Sequence, residues 1–374
     1  MEVVMVRRAF PWLLTLHLLA FLPWSAAGAE FESVEVSIPA DSVRLAATLY
    51  TPRATASDAG TPEHREARAG VVVLHGSGTN DRAELRHAGF LDCLLDAGLV
   101  VLDFDKRGIG GSGGSYSDAP DLTERAADGD AAVRFLRGRP EVDPGRVGIW
   151  GISQGGWVGE IMAARDPSLA FAILVSAPGV SPVMQTLYQR MEELREGGEW
   201  TDAELAAAYP VRAVLWRYYQ TGEGRDQLEA MWAASRASSW FQKLKWGEAP
   251  PDRGQLNSEQ RSFFTRHGAY EPAGDLRAIS IPLLCFFGGK DRHIPVDDSI
   301  AAMRAAFATN PRSRATIELL PEAGHGMQQV DGPSESVTEM KARHAGGQSM
   351  PDLTFDPDYC PRLHRWLREV AVLR

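Results

Sequence analysis

The sequence predicts an α/β fold: a mostly parallel sheet with helices on both faces and an inserted helical cap. Three observations lead there. Short continuous apolar runs recur at residues 71–74, 99–102, 147–150, 170–175, 281–287 and 315–320. Strands buried on both faces read that way. Helix-compatible segments alternate with them at 86–98, 122–137, 157–164, 296–308 and 361–372, the rhythm of strand–helix–strand units. One interval, 181–278, is much longer than a crossover helix needs and holds five of the ten tryptophans. It reads as a cap inserted between two strands.

A chain of 374 residues can bury the core of one large α/β domain with an insertion, or of two domains. A net charge of −10 with no basic cluster argues against a nucleic-acid partner. At the N-terminus, Arg7 and Arg8 precede an apolar run over 9–24, and Ala27-Gly28-Ala29 has the small-x-small form of a cleavage site. Residues 1–29 are therefore expected to be a secretory signal peptide. Pro11, His17 and Pro23 interrupt the run, which disfavours a membrane span. The mature protein is expected to be exported, to the periplasm or the medium, without a stable membrane anchor.

Taken in order, residues 31–39 and 43–50 alternate apolar and polar around Pro39-Ala40-Asp41-Ser42, which predicts a hairpin. The polar stretch 54–69 is expected to be a surface loop. The run 71–74 ends in His75-Gly76-Ser77-Gly78, and the run 99–102 ends in the glycine-rich loop 103–112. Asp143-Pro144-Gly145-Arg146 is expected to be a turn before the run 147–150. The predicted organisation is a first part of the core over 30–180, the cap over 181–278 and a second part of the core over 279–374. Concentrated aromatics in the cap suit either a packed mini-core or an apolar pocket wall. The polar insertion 328–356 is expected to be a flexible loop. Cys93 and Cys285 sit in apolar surroundings and read as buried free thiols. One disulfide among Cys93, Cys285 and Cys360 would also suit an exported chain.

Chemistry concentrates at Gly151-Ile152-Ser153-Gln154-Gly155-Gly156, between a strand and a helix. Gly-x-Ser-x-Gly in that place is the pattern of a nucleophile elbow, which exposes a serine on a sharp turn. A serine hydroxyl attacks only when an adjacent base takes its proton. By itself the motif is equally a plain glycine turn, so the rest of the chain has to supply the partners.

It offers His75-Gly76-Ser77-Gly78, Asp105-Lys106-Arg107-Gly108-Ile109-Gly110-Gly111-Ser112, Gly289-Lys290-Asp291 and Gly324-His325-Gly326, each after a predicted strand. Open α/β sheets bind ligands at that end. With these five motifs the chain resembles the α/β-hydrolase family, from about residue 31 to the C-terminus, with the cap matched least. The resemblance implies Ser153 as nucleophile, His325 as general base and Asp291 as the acid that orients it, in the chain order of that fold. It implies an oxyanion hole made by the backbone N–H groups of Gln154 and Ser77. It implies a small-molecule or peptide acyl substrate, and bacterial exported esterases and serine aminopeptidase-like hydrolases are the resembled types. Ester hydrolysis ranks first. Peptidase or amidase, thioesterase and acyltransferase chemistry use the same triad, and a non-catalytic binding protein on this scaffold ranks last.

Other residues compete for these roles. His293 reads as a surface or loop histidine, and His75 as structural support for the glycine loop. Asp297 and Asp298 fall where a helix starts and read as capping residues. His87, His267, His344 and His364 lack motif context. Asp105 and Arg107 read as braces of their loop. No metal or organic cofactor is expected, because the chain has no His-Glu-x-x-His, no P-loop and no cysteine pair at ligand spacing.

Overall fold

The structure, a computed structural model, describes residues 31–53, 67–117, 119–332, 334–345 and 354–373. The expected signal peptide over 1–29 and most of the loop over 54–69 lie outside them.

Eight strands form one sheet in the order β1-β2-β4-β3-β5-β6-β7-β8. They are β1 (Phe31–Ala40), β2 (Val43–Pro52), β3 (Arg68–Leu74), β4 (Val100–Phe104), β5 (Val142–Ile152), β6 (Ala172–Val175), β7 (Pro282–Gly288) and β8 (Arg314–Leu320). β1 and β2 form the predicted hairpin and β2 pairs antiparallel with β4, while β3 to β8 run parallel. Alternate residues of the inner strands feed two cores, as the period of two requires. Val72, Leu74, Ile149 and Leu283 face one layer, and Val71, Val73, Trp150 and Leu284 face the other.

Helices cover both faces. They are α1 (Arg82–His87), α2 (Asp92–Asp96), α3 (Leu122–Arg137) and α4 (Gln154–Arg165) in the first part of the chain. The single helix expected over 86–98 is two, because Gly89 takes φ +83° between them. Asp81 caps α1 with a capping box to Glu84, which fixes its start upstream of the predicted one. The expected turn over 143–146 is a bulge within β5. Arg68 and Gly70 of β3 face Val142 and Val147, so the extra residues of β5 loop out and are tied by Asp143 to Gly145 N–H at 2.9 Å and to Arg146 Nε at 2.9 Å.

Between β6 and β7 the chain forms α5 (Pro182–Glu196), α6 (Asp202–Thr221), α7 (Arg225–Ser235), α8 (Ser239–Lys243), α9 (Ser258–Ser262) and α10 (Pro272–Ala278). This insertion has its own core of Leu187, Met191, Leu205, Val211, Trp232 and Phe241. Trp232 stacks on Trp246 at 4.4 Å between ring centroids. Of the two roles expected for the tryptophans, packing a mini-core is the one observed.

The last helices are α11 (Val296–Ala308), α12 (Val337–Ala345) and α13 (Tyr359–Glu369). α12 corrects the expectation of a flexible loop over 328–356. Glu196 at the end of α5 accepts the backbone N–H groups of Val337 and Thr338, both at 3.2 Å, so a carboxylate sits at the N-terminus of α12. Lys341 pairs with Glu193 of α5.

The cysteine reading is also corrected. Cys93 of α2 is joined to Cys360 of α13 as a disulfide, with 5.3 Å between Cα atoms, and Cys285 is the buried free thiol. The two cysteines lie 267 residues apart in sequence, so spacing gives no hint of the pairing. His364 Nε2 donates to the Cys93 carbonyl at 2.7 Å beside it. Replacing both cysteines by serine is expected to lower stability by about 2–5 kcal/mol, because so long a closed loop restricts the unfolded chain. Urea unfolding with and without reductant checks this. Reductant should shift the midpoint of the native protein and leave that of the double variant unmoved.

Candidate active site

The order β4-β3-β5 makes the neighbourhood of β3 and β5 a switch point of the sheet, where ligands of open α/β folds bind. Ser153 stands there, between β5 and α4. Its backbone takes φ 54° and ψ −120°, a conformation that costs a side-chain-bearing residue about 1–3 kcal/mol. The surroundings hold it. Ser153 N–H donates to the Val175 carbonyl at 2.9 Å, and Gly156 N–H to the Ser153 carbonyl at 2.8 Å. A Cβ on Gly155 would overlap the Leu74 carbonyl, and one on Gly151 the Gly155 carbonyl, so both positions require glycine. Ser153 is the N-cap of α4, yet its side chain makes no capping bond.

The loop after β3 rests on this turn, since a Cβ on Gly76 would meet the Ser153 Cβ at 3.4 Å. His75 is buried beneath it, with Nε2 2.6 Å from Asp103 Oδ1 of β4. Burial raises the Asp103 pKa, with His75 opposing the shift. His75 thus ties β3 to β4. Lys106, in the loop after β4, is buried and donates from Nζ to the carbonyls of Gly76 at 2.8 Å and Gly78 at 2.6 Å. Asp105 accepts from the N–H groups of Arg82 at 3.0 Å and Gly111 at 2.8 Å. Arg107 pairs through Nε with Asp128 at 2.7 Å.

The other half of the site comes from the loops after β6, β7 and β8. Asp291 Oδ2 accepts from His325 Nδ1 at 2.8 Å, and its Oδ1 accepts from His293 N–H at 2.8 Å. Burial would raise the Asp291 pKa, but the charge and hydrogen bond of His325 outweigh it and hold the carboxyl below its ordinary value. Ser176 Oγ donates to the His325 carbonyl at 2.8 Å, and Lys290 N–H donates to the Ala323 carbonyl at 2.9 Å. These bonds fasten the histidine loop to the ends of β6 and β7.

His293 departs from its surface reading. It is 5% exposed, and its ring lies 4.8 Å from that of His325. Its Nε2 donates to the Glu335 carbonyl at 3.1 Å, and its own carbonyl accepts from Gln189 of α5 at 3.0 Å. Burial, then repulsion from His325, lowers its pKa to about 4, so it is neutral at neutral pH. Asp297 and Asp298 lie in the first turn of α11 behind Pro295, which is the N-cap and makes no side-chain capping bond. They complement the helix dipole rather than cap the helix. His267 is buried edge-on to Trp157 and donates from Nδ1 to the Pro120 carbonyl at 3.1 Å. The side chains of His87 and His344 lie outside those described.

Ser77, Ser153, Gln154, His293 and His325 line one cavity of about 930 Å³. Leu85, Phe90, Ile152 and Trp157 supply apolar wall, and α5 of the insertion supplies Gln185, Thr186 and Gln189. None of the five tryptophans of the insertion reaches it. The volume suits a small organic ligand. Among the described residues, Asp291, His293 and His325 form a cluster of metal-ligand type, with one donor atom from each lying within 4.8 Å of the others. The Asp291–His325 hydrogen bond already engages two of these groups with each other.

A sheet of this order, with a strained serine after β5 and a histidine after β8 bonded to a buried acid after β7, defines a class. The alpha/beta hydrolase family model matches residues 71–339, and the chain belongs to that family. Esterase EstD of Thermotoga maritima is 26% identical over 285 residues, covering 73% of this chain and 58% of that protein. Quorum-quenching protein AidA of Acinetobacter baumannii is 31% identical over 140 residues, covering 37% of this chain and 42% of its own. The chain spans about half the length of these curated relatives. Among solved structures, Pyrococcus furiosus esterase Pf2001 superposes with a TM-score of 0.52 at 17% identity, over 91% of this chain and 92% of its own. That likeness is one of fold.

Proposed function

We propose that the protein is a serine hydrolase that cleaves a carboxylic ester through an acyl-enzyme. Ser153 Oγ attacks the carbonyl carbon as His325 Nε2 takes its proton. Asp291 keeps the other ring proton on Nδ1 and stabilises the imidazolium. The N–H groups of Ser77 and Gln154 receive the negative charge that develops on the carbonyl oxygen. His325 returns the proton to the departing alcohol oxygen. A water, deprotonated by the same histidine, then attacks the acyl carbon and releases the acid and Ser153.

The observation that carries this reading is the 2.8 Å Asp291–His325 hydrogen bond, because its histidine lines the cavity that the strained Ser153 also lines. Ester chemistry is placed ahead of amide chemistry because EstD of Thermotoga maritima, which matches most of this chain, is named an esterase. The helical insertion acts as a cap that shapes access, through α5 rather than through its tryptophans. Export is supported by the Cys93–Cys360 disulfide, since such bonds persist in oxidising compartments.

Turnover of matched p-nitrophenyl esters and p-nitroanilides over a series of acyl lengths tests the proposal. Esters are expected to react with release of nitrophenol ahead of acid. Anilide turnover equal to or above ester turnover would replace the esterase reading with an amidase one.

A further inference from the structure

Lys106 lies in the glycine-rich loop after β4, and neither the triad nor the expected oxyanion hole makes use of it. It is 5% exposed and lines the cavity. Burying an ammonium is costly unless strong acceptors meet it. Here two acceptors are the carbonyls of Gly76 and Gly78, at 2.8 and 2.6 Å. Both belong to the loop that rests on Ser153.

The choice of carbonyls matters. The Gly76 carbonyl and the Ser77 N–H are two ends of one peptide unit. That unit is planar and trans, so its C=O and N–H point in opposite directions. An ammonium fixed on the carbonyl therefore fixes where the N–H points. It also draws electron density toward the carbonyl oxygen, leaving the N–H a stronger donor, as happens along chains of hydrogen bonds. The second bond, to Gly78, holds the far side of Ser77, where the chain turns through φ +85°. Ser77 is thus held on both sides by one side chain from a neighbouring strand end.

We infer that Lys106 is a positioning residue of the oxyanion hole: its ammonium orients and polarises the Gly76–Ser77 peptide so that the Ser77 N–H meets negative charge on a bound acyl group. This rests on the serine-hydrolase reading. It predicts that Lys106 acts on the transition state far more than on the bound ester, because charge on that oxygen is complete only in the tetrahedral species.

The test compares native protein with K106M, K106Q and K106R. Three quantities are measured: kcat and KM on a p-nitrophenyl ester, affinity for a trifluoromethyl ketone that forms a tetrahedral adduct with the serine, and labelling by a fluorophosphonate. In K106M, kcat is expected to fall on the order of 10- to 100-fold, with KM changed by less than about threefold. Ketone affinity should fall in proportion to kcat. K106R, which keeps the charge, should recover most of the loss, and K106Q, which keeps a donor without charge, should recover little. If K106M does not fold, the K106Q and K106R pair carries the comparison. A folded K106M or K106Q with native kcat and ketone affinity overturns the inference, as does a loss confined to KM. A native protein that takes no fluorophosphonate overturns the serine-hydrolase reading itself, whereas native labelling with unaffected variants overturns the role of Lys106 alone.

Discussion

Ser153→Ala is expected to lower ester turnover on the order of 10⁴- to 10⁶-fold and to abolish fluorophosphonate labelling, with the unfolding midpoint unchanged. The separation of the two effects follows from the turn. What the Ser153 position contributes to folding is backbone: its N–H on the Val175 carbonyl and its own carbonyl on Gly156 N–H. Its side chain makes no capping bond to α4. Alanine keeps both backbone bonds and meets the same strained φ of 54° that serine meets, so the elbow retains its shape. Only the oxygen is lost. A fall in kcat together with a matching fall in thermal stability would mean that the hydroxyl is structural. Turnover near native in a folded variant would remove Ser153 from the reaction.

Much of this arrangement was legible in the sequence, for a physical reason. Strands buried on both faces must be apolar throughout, so β3, β4 and β7 appear as continuous runs whose ends fall within about three residues of the observed strands. The loops at their ends need glycine where backbones cross closely, so Gly151 and Gly155 mark that edge of the sheet. Ser153, Asp291 and His325 each follow such a run and are brought to the same end of the sheet by topology. What stayed hidden depends on partners far away in sequence. α12 is a polar segment whose support comes from Glu193 and Glu196 of α5. Cys93 finds Cys360 only because α2 and α13 cover the same face of the sheet. His293 looks like a loop residue two positions after an acid, and only the approach of the β8 loop and of Glu335 buries it against His325. Lys106 falls inside a motif that reads as a glycine turn, and its acceptors lie about 30 residues upstream in the loop after β3. The signal available for these residues was weak: a histidine two positions after Asp291, and a lysine between Asp105 and Arg107 in a loop that must be packed.

Asp291→Asn is expected to lower kcat on the order of 10³- to 10⁴-fold, and the direction is set by which atoms face each other. Asp291 Oδ1 accepts His293 N–H and Oδ2 accepts His325 Nδ1. In the asparagine variant the carbonyl oxygen stays with His293 N–H, which can only donate. The amide NH₂ is then turned toward His325 and needs an acceptor there. Nδ1 must give up its proton to become one, and the proton moves to Nε2. A ring protonated at Nε2 cannot take the proton of Ser153, so the nucleophile is disarmed while the fold stands. Asp297→Asn is the control. That residue sits in the first turn of α11, and its variant should keep kcat within about threefold, since an exposed helix-terminal charge is worth only about 0.3–1 kcal/mol. Asp291→Asn should also differ from the native protein in acid. The Asp291 carboxyl is held below its ordinary value of 3.8, so in the native protein its contribution to stability is fully present above that pH. It is lost as pH falls through the lower folded value, because protonation of the folded state lags that of the unfolded chain. Asparagine cannot titrate, so urea unfolding followed from about pH 5 down to about pH 2 should show a shallower acid decline for Asp291→Asn than for the native protein. An acid decline unchanged in Asp291→Asn, or a loss of kcat that appears in Asp297→Asn instead, would move the orienting acid away from position 291.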